Sequence, residues 1–182
     1  MEKMKKACVI TGHRPTRFWF KYQEKYDMCK KIKNTMREQF IKLYEEEGVR
    51  RFYIGGSLGV DLWAGEIVMR LKEIPEYSEI ELAVVLPFPG HDARWDEKSR
   101  RRLRFLLRHS AEQITIGEEE CPRNYVKRNC YMVEHSWYMV AVYDNDRSRF
   151  PNAIQPVDYA LKLDRHIILI HPDTAEVSVL LE

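Results

Sequence analysis

A chain of 182 residues, 45% hydrophobic and 32% charged, can bury one sizeable core without disulfides or a structural metal. Its net charge of +2 falls far short of the basicity that would by itself indicate nucleic acid, and it has no run of ten apolar residues to enter a membrane. Cys8, Cys29, Cys121 and Cys130 show neither zinc-knuckle nor secreted-staple spacing, and the basic start Met1-Glu2-Lys3-Met4-Lys5-Lys6 leads into too short an apolar stretch for an export signal, so a cytoplasmic chain is expected.

Ala7-Cys8-Val9-Ile10-Thr11 is short, apolar and β-branched, and predicts a buried first strand. A loop with Pro15, Phe18, Trp19 and Phe20 follows. Met28, Ile32, Met36 and Phe40, then Leu43 and Tyr44, mark one face of a helix that Gly48 ends. Phe52-Tyr53-Ile54 is a second strand, stopped by Gly55-Gly56-Ser57-Leu58-Gly59, after which Val60, Trp63, Ala64, Ile67, Val68 and Leu71 predict a helix closed by Pro75.

Residues 80–86 give a third strand, ended by Pro87-Phe88-Pro89-Gly90. A helix is expected over 95–108 with Leu103, Leu106 and Leu107 inward, then a short strand at 113–116. Residues 125–136 read as a helix burying Val126, Tyr131 or Met132, and Val133. A strand at 137–143, a helix at 153–163, a strand at 166–170 and an edge strand at 177–181 complete the pattern. Such alternation predicts one α/β domain over residues 1–182, a mostly parallel sheet with helices on both faces.

Open sheets of this kind bind ligands outside the carboxyl ends of their strands. Four loops fall there. In Thr11-Gly12-His13-Arg14-Pro15, Gly12 lets the backbone approach a ligand while His13 and Arg14 offer charged or hydrogen-bonding heads. In the second loop Gly55, Gly56, Ser57 and Gly59 expose amides at a helix N-terminus, where orphan donors and the helix dipole favour phosphate. Asp61 would repel that guest unless it faces sideways, caps the helix or accepts from a ribose hydroxyl. A plain structural turn is the alternative.

Phe88, His91 and Trp95 put aromatic faces near the same crevice, either to stack a base or to stiffen the loop and fill the core. Asp144-Asn145-Asp146 follows the strand at 137–143 and can touch ligand or shape turns. Arg128 with Asn129 can clamp phosphate or carboxylate, or be a surface pair. The histidines show no metal-ligand spacing, no serine stands in a nucleophile elbow, and Cys8 reads as a core residue. No metal or certain cofactor is expected.

Thr11-Gly12-His13-Arg14-Pro15, Gly55 to Ala64, Leu86-Pro87-Phe88, Trp95, Arg128 to Val133 and Val140 to Asp144 resemble, in order and over nearly the whole chain, the YpsA-like family of the SLOG superfamily. The resemblance implies a Rossmann-like fold, shared with DNA-processing protein A and the Lonely Guy phosphoribohydrolases. It also implies a nucleotide or nucleotide-derived ligand near the two glycine loops and Arg128-Asn129. It does not imply an activity. Many members carry Gly-Gly-Thr where this chain has Ser148-Arg149-Phe150, before Pro151-Asn152-Ala153, which puts the second phosphate cradle in doubt.

Three functions follow as expectations. The first is binding or sensing of a nucleotide-like small molecule. The second is hydrolysis of a nucleotide N-glycosidic bond by analogy with the Lonely Guy enzymes, for which Asp61 and Glu66 are the only carboxylates to nominate, and whose Pro-Gly-Gly-x-Gly-Thr-x-x-Glu signature is absent. The third is nucleic-acid binding by Arg100, Arg101, Arg102, Arg104 and Arg108 with Lys98 nearby. Base-stacking aromatics are not read as interleaved with these arginines, so a solvated face paired with Glu97 or with Glu118-Glu119-Glu120 is preferred. A homo-oligomer is compatible with the fold type, and no membrane partner is expected.

Overall fold

β1 (Ala7–Gly12) stands at the centre of a seven-stranded sheet ordered β4-β3-β2-β1-β5-β6-β7. The other strands are β2 (Arg51–Ile54), β3 (Glu81–Leu86), β4 (Glu112–Thr115), β5 (Tyr138–Val142), β6 (His166–Ile170) and β7 (Val177–Leu180). The computed structural model describes residues 1–149 and 151–180. Phe150 of the altered glycine motif and Leu181 of the expected edge strand lie outside the described residues. All neighbours pair in parallel except β7, which runs antiparallel to β6.

The two-residue period of each strand sorts its side chains between two cores. Cys8, Ile10, Phe52, Ile54, Val140 and Val142 point to the face covered by α2 (Asp27–Glu46), α3 (Val60–Lys72) and α4 (Glu97–His109). Ala7, Val9, Tyr53, Met139 and Ala141 point to the other, covered by α5 (Pro122–Glu134) and α6 (Pro151–Lys162). Because both faces are covered, the strands read as continuous apolar runs rather than alternating ones.

The sequence misses only short elements, a first turn α1 (Glu2–Lys5) and the 3₁₀ turns Pro15–Arg17 and Pro75–Tyr77. The fourth helix starts at Glu97 rather than near Trp95, because Asp96 caps it by accepting from the Ser99 amide at 2.9 Å and its hydroxyl at 2.7 Å. One core assignment is corrected. Val126 is exposed, and α5 instead turns Asn124, Arg128 and Met132 inward at four-residue steps. A helix that buries an amide and a guanidinium breaks the apolar periodicity from which its inner face was read.

Strand order reverses at β1. The chain runs outward through β2, β3 and β4, then α5 carries it back across the sheet to β5 on the other side of β1. This switch point, where the loops after β1 and β5 diverge, leaves a crevice at the carboxyl edge.

Candidate functional site

The crevice is a cleft of about 510 Å³. Its walls come from the end of β1 and the loop after it, from Ser57 and Asp61 at the start of α3, from the first turns of α5, and from Ala153 and Gln155 on α6. Of the residues expected at a ligand, Gly12, His13, Arg14, Ser57, Asp61, Arg128 and Asn129 line this cleft together.

Arg128 sits at its base, 5% exposed. Nη1 donates to the Gly55 carbonyl at 2.5 Å and Nε to Asn129 Oδ1 at 2.8 Å. Asn129 donates in turn to Gln155 Oε1 at 3.0 Å, so the glycine loop, α5 and α6 are joined through one guanidinium. Among the described residues Nη2 has no hydrogen-bond partner. Burial lowers the affinity of this guanidinium for its proton, and the nearby Asp61 carboxylate opposes that effect. Tyr125, one turn earlier, has Arg14 over its ring at 5.6 Å and Arg128 at 5.5 Å.

The glycine loop is built differently from the expectation. Asp61 Oδ2 accepts the Gly55 N–H at 3.0 Å and the Ser57 N–H at 3.2 Å. The expected amide cradle is therefore already occupied by a carboxyl group of the chain itself. Burial raises the Asp61 carboxyl above the usual carboxylate range, while Arg128 and the Ser57 amide pull it down. His91 Nε2 meets the Gly56 carbonyl at 2.9 Å on the far side of the loop. Gly59 begins α3 at φ +85, and a Cβ there would meet the His13 carbonyl oxygen at 2.9 Å, so only glycine fits.

The loop after β5 also turns its amides inward. Asp144 Oδ1 accepts the Asp146 N–H at 3.0 Å, and Asp146 Oδ1 accepts the Ser148 N–H at 2.9 Å and its hydroxyl at 2.6 Å. Asp144 Oδ2 pairs with Arg17 at 2.8 Å, and Arg17 reaches Asp173 at 2.9 Å. Asp144 thus stands behind the cleft wall, in the turn-forming role.

His13 lines the cleft as a neutral ring. It is buried against Phe18 and Tyr143, with burial and the neighbouring Arg17 pushing its pKa down to about 4, so at neutral pH it presents no charge. Phe88 is buried with its ring edge-on to Tyr125 at 5.6 Å. Trp95 packs on the core and against His91 at 5.2 Å. Neither lines the cleft, nor do Gly55, Gly56 and Gly59, which shape it from beneath. Glu66 is held by Arg102 at 2.5 Å and also lies outside the cleft.

Among the cleft residues that escape the sequence reading are Arg17, Tyr125 and Gln155. Tyr125 was accessible, since it precedes Arg128 by three residues on a helix and must share its face. Arg17 and Gln155 carry no local signal and are recruited by the fold.

The model of the YspA SLOG family (YpsA) matches residues 8–174. The chain belongs to this family. This SLOG member is 36% identical over 123 residues to a UPF0398 protein of Halalkalibacterium halodurans, covering 66% of this chain and 64% of that one. It is 29% identical over 151 residues to UPF0398 proteins of Bacillus thuringiensis and Bacillus cereus, covering 82% of this chain and 80% of theirs.

Among solved structures, the fold is similar to DNA processing protein A of Streptococcus pneumoniae, with TM-score 0.57 at 12% identity, covering 90% of this chain and 49% of that one. A structure of DNA processing protein A of Helicobacter pylori, which describes a single-stranded DNA binding mode of that protein, gives TM-score 0.57 at 16% identity, covering 91% of this chain and 65% of that one. The SLOG chain therefore spans about half to two thirds of those structures, and the likeness is one of fold. Among the described residues no helix is long and apolar enough to cross a membrane, and no cluster of three His, Cys, Asp or Glu is placed to hold a metal ion.

Proposed function

We propose that this SLOG protein binds a nucleotide or nucleotide-derived small molecule in the cleft at the β1–β5 switch point. The observation that carries the reading is Arg128, a buried guanidinium with one nitrogen unpartnered at the base of a preformed cleft. Such a group is costly to bury and is stabilised by an anion that completes its hydrogen bonds.

The Gly55 and Ser57 amides are occupied by Asp61, so phosphate recognition falls to the side chains of Arg14 and Arg128 rather than to an amide nest. Tyr125 offers a ring for base stacking, and Asn129 with Gln155 offers amides for a sugar or base edge. The SLOG relationship supports the same chemistry. So does the single-stranded DNA binding named for the Helicobacter protein, a ligand made of nucleotide units.

Binding is favoured over N-glycoside hydrolysis. Asp61 is committed to two amides and Glu66 to Arg102, which leaves neither nominated carboxylate placed to act on a sugar.

The test is a thermal-shift screen against AMP, ADP, ADP-ribose and cyclic dinucleotides. A ligand at a hundred times its Kd adds about 2.7 kcal/mol of stability. A shift present in the wild type and absent in a folded Arg128→Ala variant is the expected result. No shift with any of them, or a shift indifferent to Arg128, overturns the assignment, and release of free base would restore the hydrolase reading.

A further inference from the structure

The arginines of α4 divide into two strips. Arg100 and Arg104 lie on the strip neutralised by Asp92 at 3.4 Å and by Glu97, which Arg101 also approaches. The adjacent strip carries Lys98, Arg101, Phe105 and Arg108 at three- and four-residue steps, all exposed. Phe105 is 48% exposed and packs against His109 at a centroid distance of 4.3 Å, the rings tilted by 35°. An aromatic is therefore interleaved with the cations here, contrary to the sequence reading.

The fold brings more aromatics to the same place. Arg102 flanks this strip and holds Glu24 of the loop before α2 through two bonds, at 2.6 and 3.0 Å, while Lys33 holds the same carboxylate at 2.6 Å. That loop presents Trp19 at 61% and Tyr22 at 56% exposure, with Trp19 packed on Tyr26 at 4.8 Å. Lys21 and Lys25 stand between them, both exposed. Phe18 and Phe20 are buried beneath, stacked on one another and packed at a tilt against Trp63, which anchors the loop to the core.

Trp19, Tyr22 and Phe105 are large aromatics left in water on the two segments that the Arg102–Glu24 pair joins, apolar surface of the kind that a bound partner covers. A protein partner would have to desolvate the surrounding lysines and arginines. A single-stranded polynucleotide satisfies both features, since bases stack on aromatic faces and phosphates meet the cations, without sequence readout.

We propose that the Trp19–Tyr22 loop and the Arg101–Phe105–Arg108 strip of α4 together bind single-stranded nucleic acid. This surface lies on the α2–α3–α4 side of the sheet and shares no residue with the cleft.

The test is fluorescence anisotropy of a labelled oligo-dT strand of about 20 nucleotides with the full chain, at roughly 50 and 200 mM salt. Binding should weaken with salt, and Trp19→Ala with Tyr22→Ala should lower affinity at least about fivefold, from the loss of base stacking. Arg101→Glu with Arg108→Glu should lower it further and flatten the salt dependence. All four side chains are exposed, so melting curves of these variants should match the wild type.

No binding at low salt overturns the proposal. So does binding lost in Arg128→Ala but kept in the loop and strip variants, which would place the strand in the cleft. A wild-type dimer in sedimentation that dissociates in Trp19→Ala also overturns it, because a second copy would then be the occupant.

Discussion

Arg128 and Gly55 lie 73 residues apart in sequence and are locked together, the guanidinium Nη1 donating to the glycine carbonyl at 2.5 Å. A Cβ at Gly55 would stand 2.5 Å from that nitrogen and 2.7 Å from Cζ. β2 is thus followed by glycine because an arginine from α5 occupies the space where a side chain would be.

Gly55→Ala should therefore displace Arg128 and remove nucleotide binding while leaving a folded protein. Arg128→Ala should orphan a buried carbonyl at a cost of about 1–3 kcal/mol. Lysine cannot restore the three-way link to Gly55 and Asn129, so Arg128→Lys should resemble the alanine variant. Urea unfolding reads the stability and ligand-induced melting shifts read the binding.

Asp61 acts as a built-in hydrogen-bond acceptor for the glycine loop. In Asp61→Ala the Gly55 and Ser57 amides lose their acceptor, worth about 1–3 kcal/mol each, partly offset because a buried charge is also removed. We expect a net loss of about 2 kcal/mol. Inorganic phosphate should then raise the melting temperature of the variant more than that of the wild type, since an external anion can take the vacated position. Equal phosphate shifts in both proteins would contradict this role.

The stability of the fold should fall in mild acid because of His13. Burial depresses its pKa from 6.5 to about 4, so the unfolded chain binds a proton more readily than the folded one. The contribution is fully present above pH 6.5 and is lost as pH drops toward 4, amounting to about 3 kcal/mol there. Melting temperatures of His13→Gln against wild type from pH 7.5 down to about 4 check it. The difference between the two should narrow or reverse on acidification, whatever the variant's stability at neutral pH.

Arg17 ties the loop after β1 to Asp144 and Asp173, and both carboxyls are held below the usual range with its bonds as a cause. Arg17→Ala leaves two carboxylates facing one another without their cation. It should destabilise by about 1–3 kcal/mol, and the loss should shrink as acid protonates both groups. Arg17→Lys should recover only part of it, because an ammonium cannot serve both partners with the guanidinium's fork.

Glu66→Gln separates the hydrolase reading from the structural one. It should weaken the bond to Arg102 and leave cleft binding intact, as Glu66 lies outside the cleft. Loss of nucleotide affinity in a stable Glu66→Gln protein would return that carboxylate to the site.

The sequence by itself determined the strands, the order of α and β elements, and the carboxyl-edge loops, because apolar period and glycine position are local properties of a chain. It also brought Gly12, Arg14, Ser57, Asp61, Arg128 and Asn129 forward, since each stands beside a strand end or on the helix that crosses the switch point. Tertiary structure alone decided what these groups touch. It filled the amide cradle with Asp61, neutralised His13 by burial, turned Val126 out and Arg128 in, and recruited Arg17 and Gln155. The reason is physical: hydrogen-bond satisfaction and desolvation depend on partners distant in sequence, and no local pattern records them.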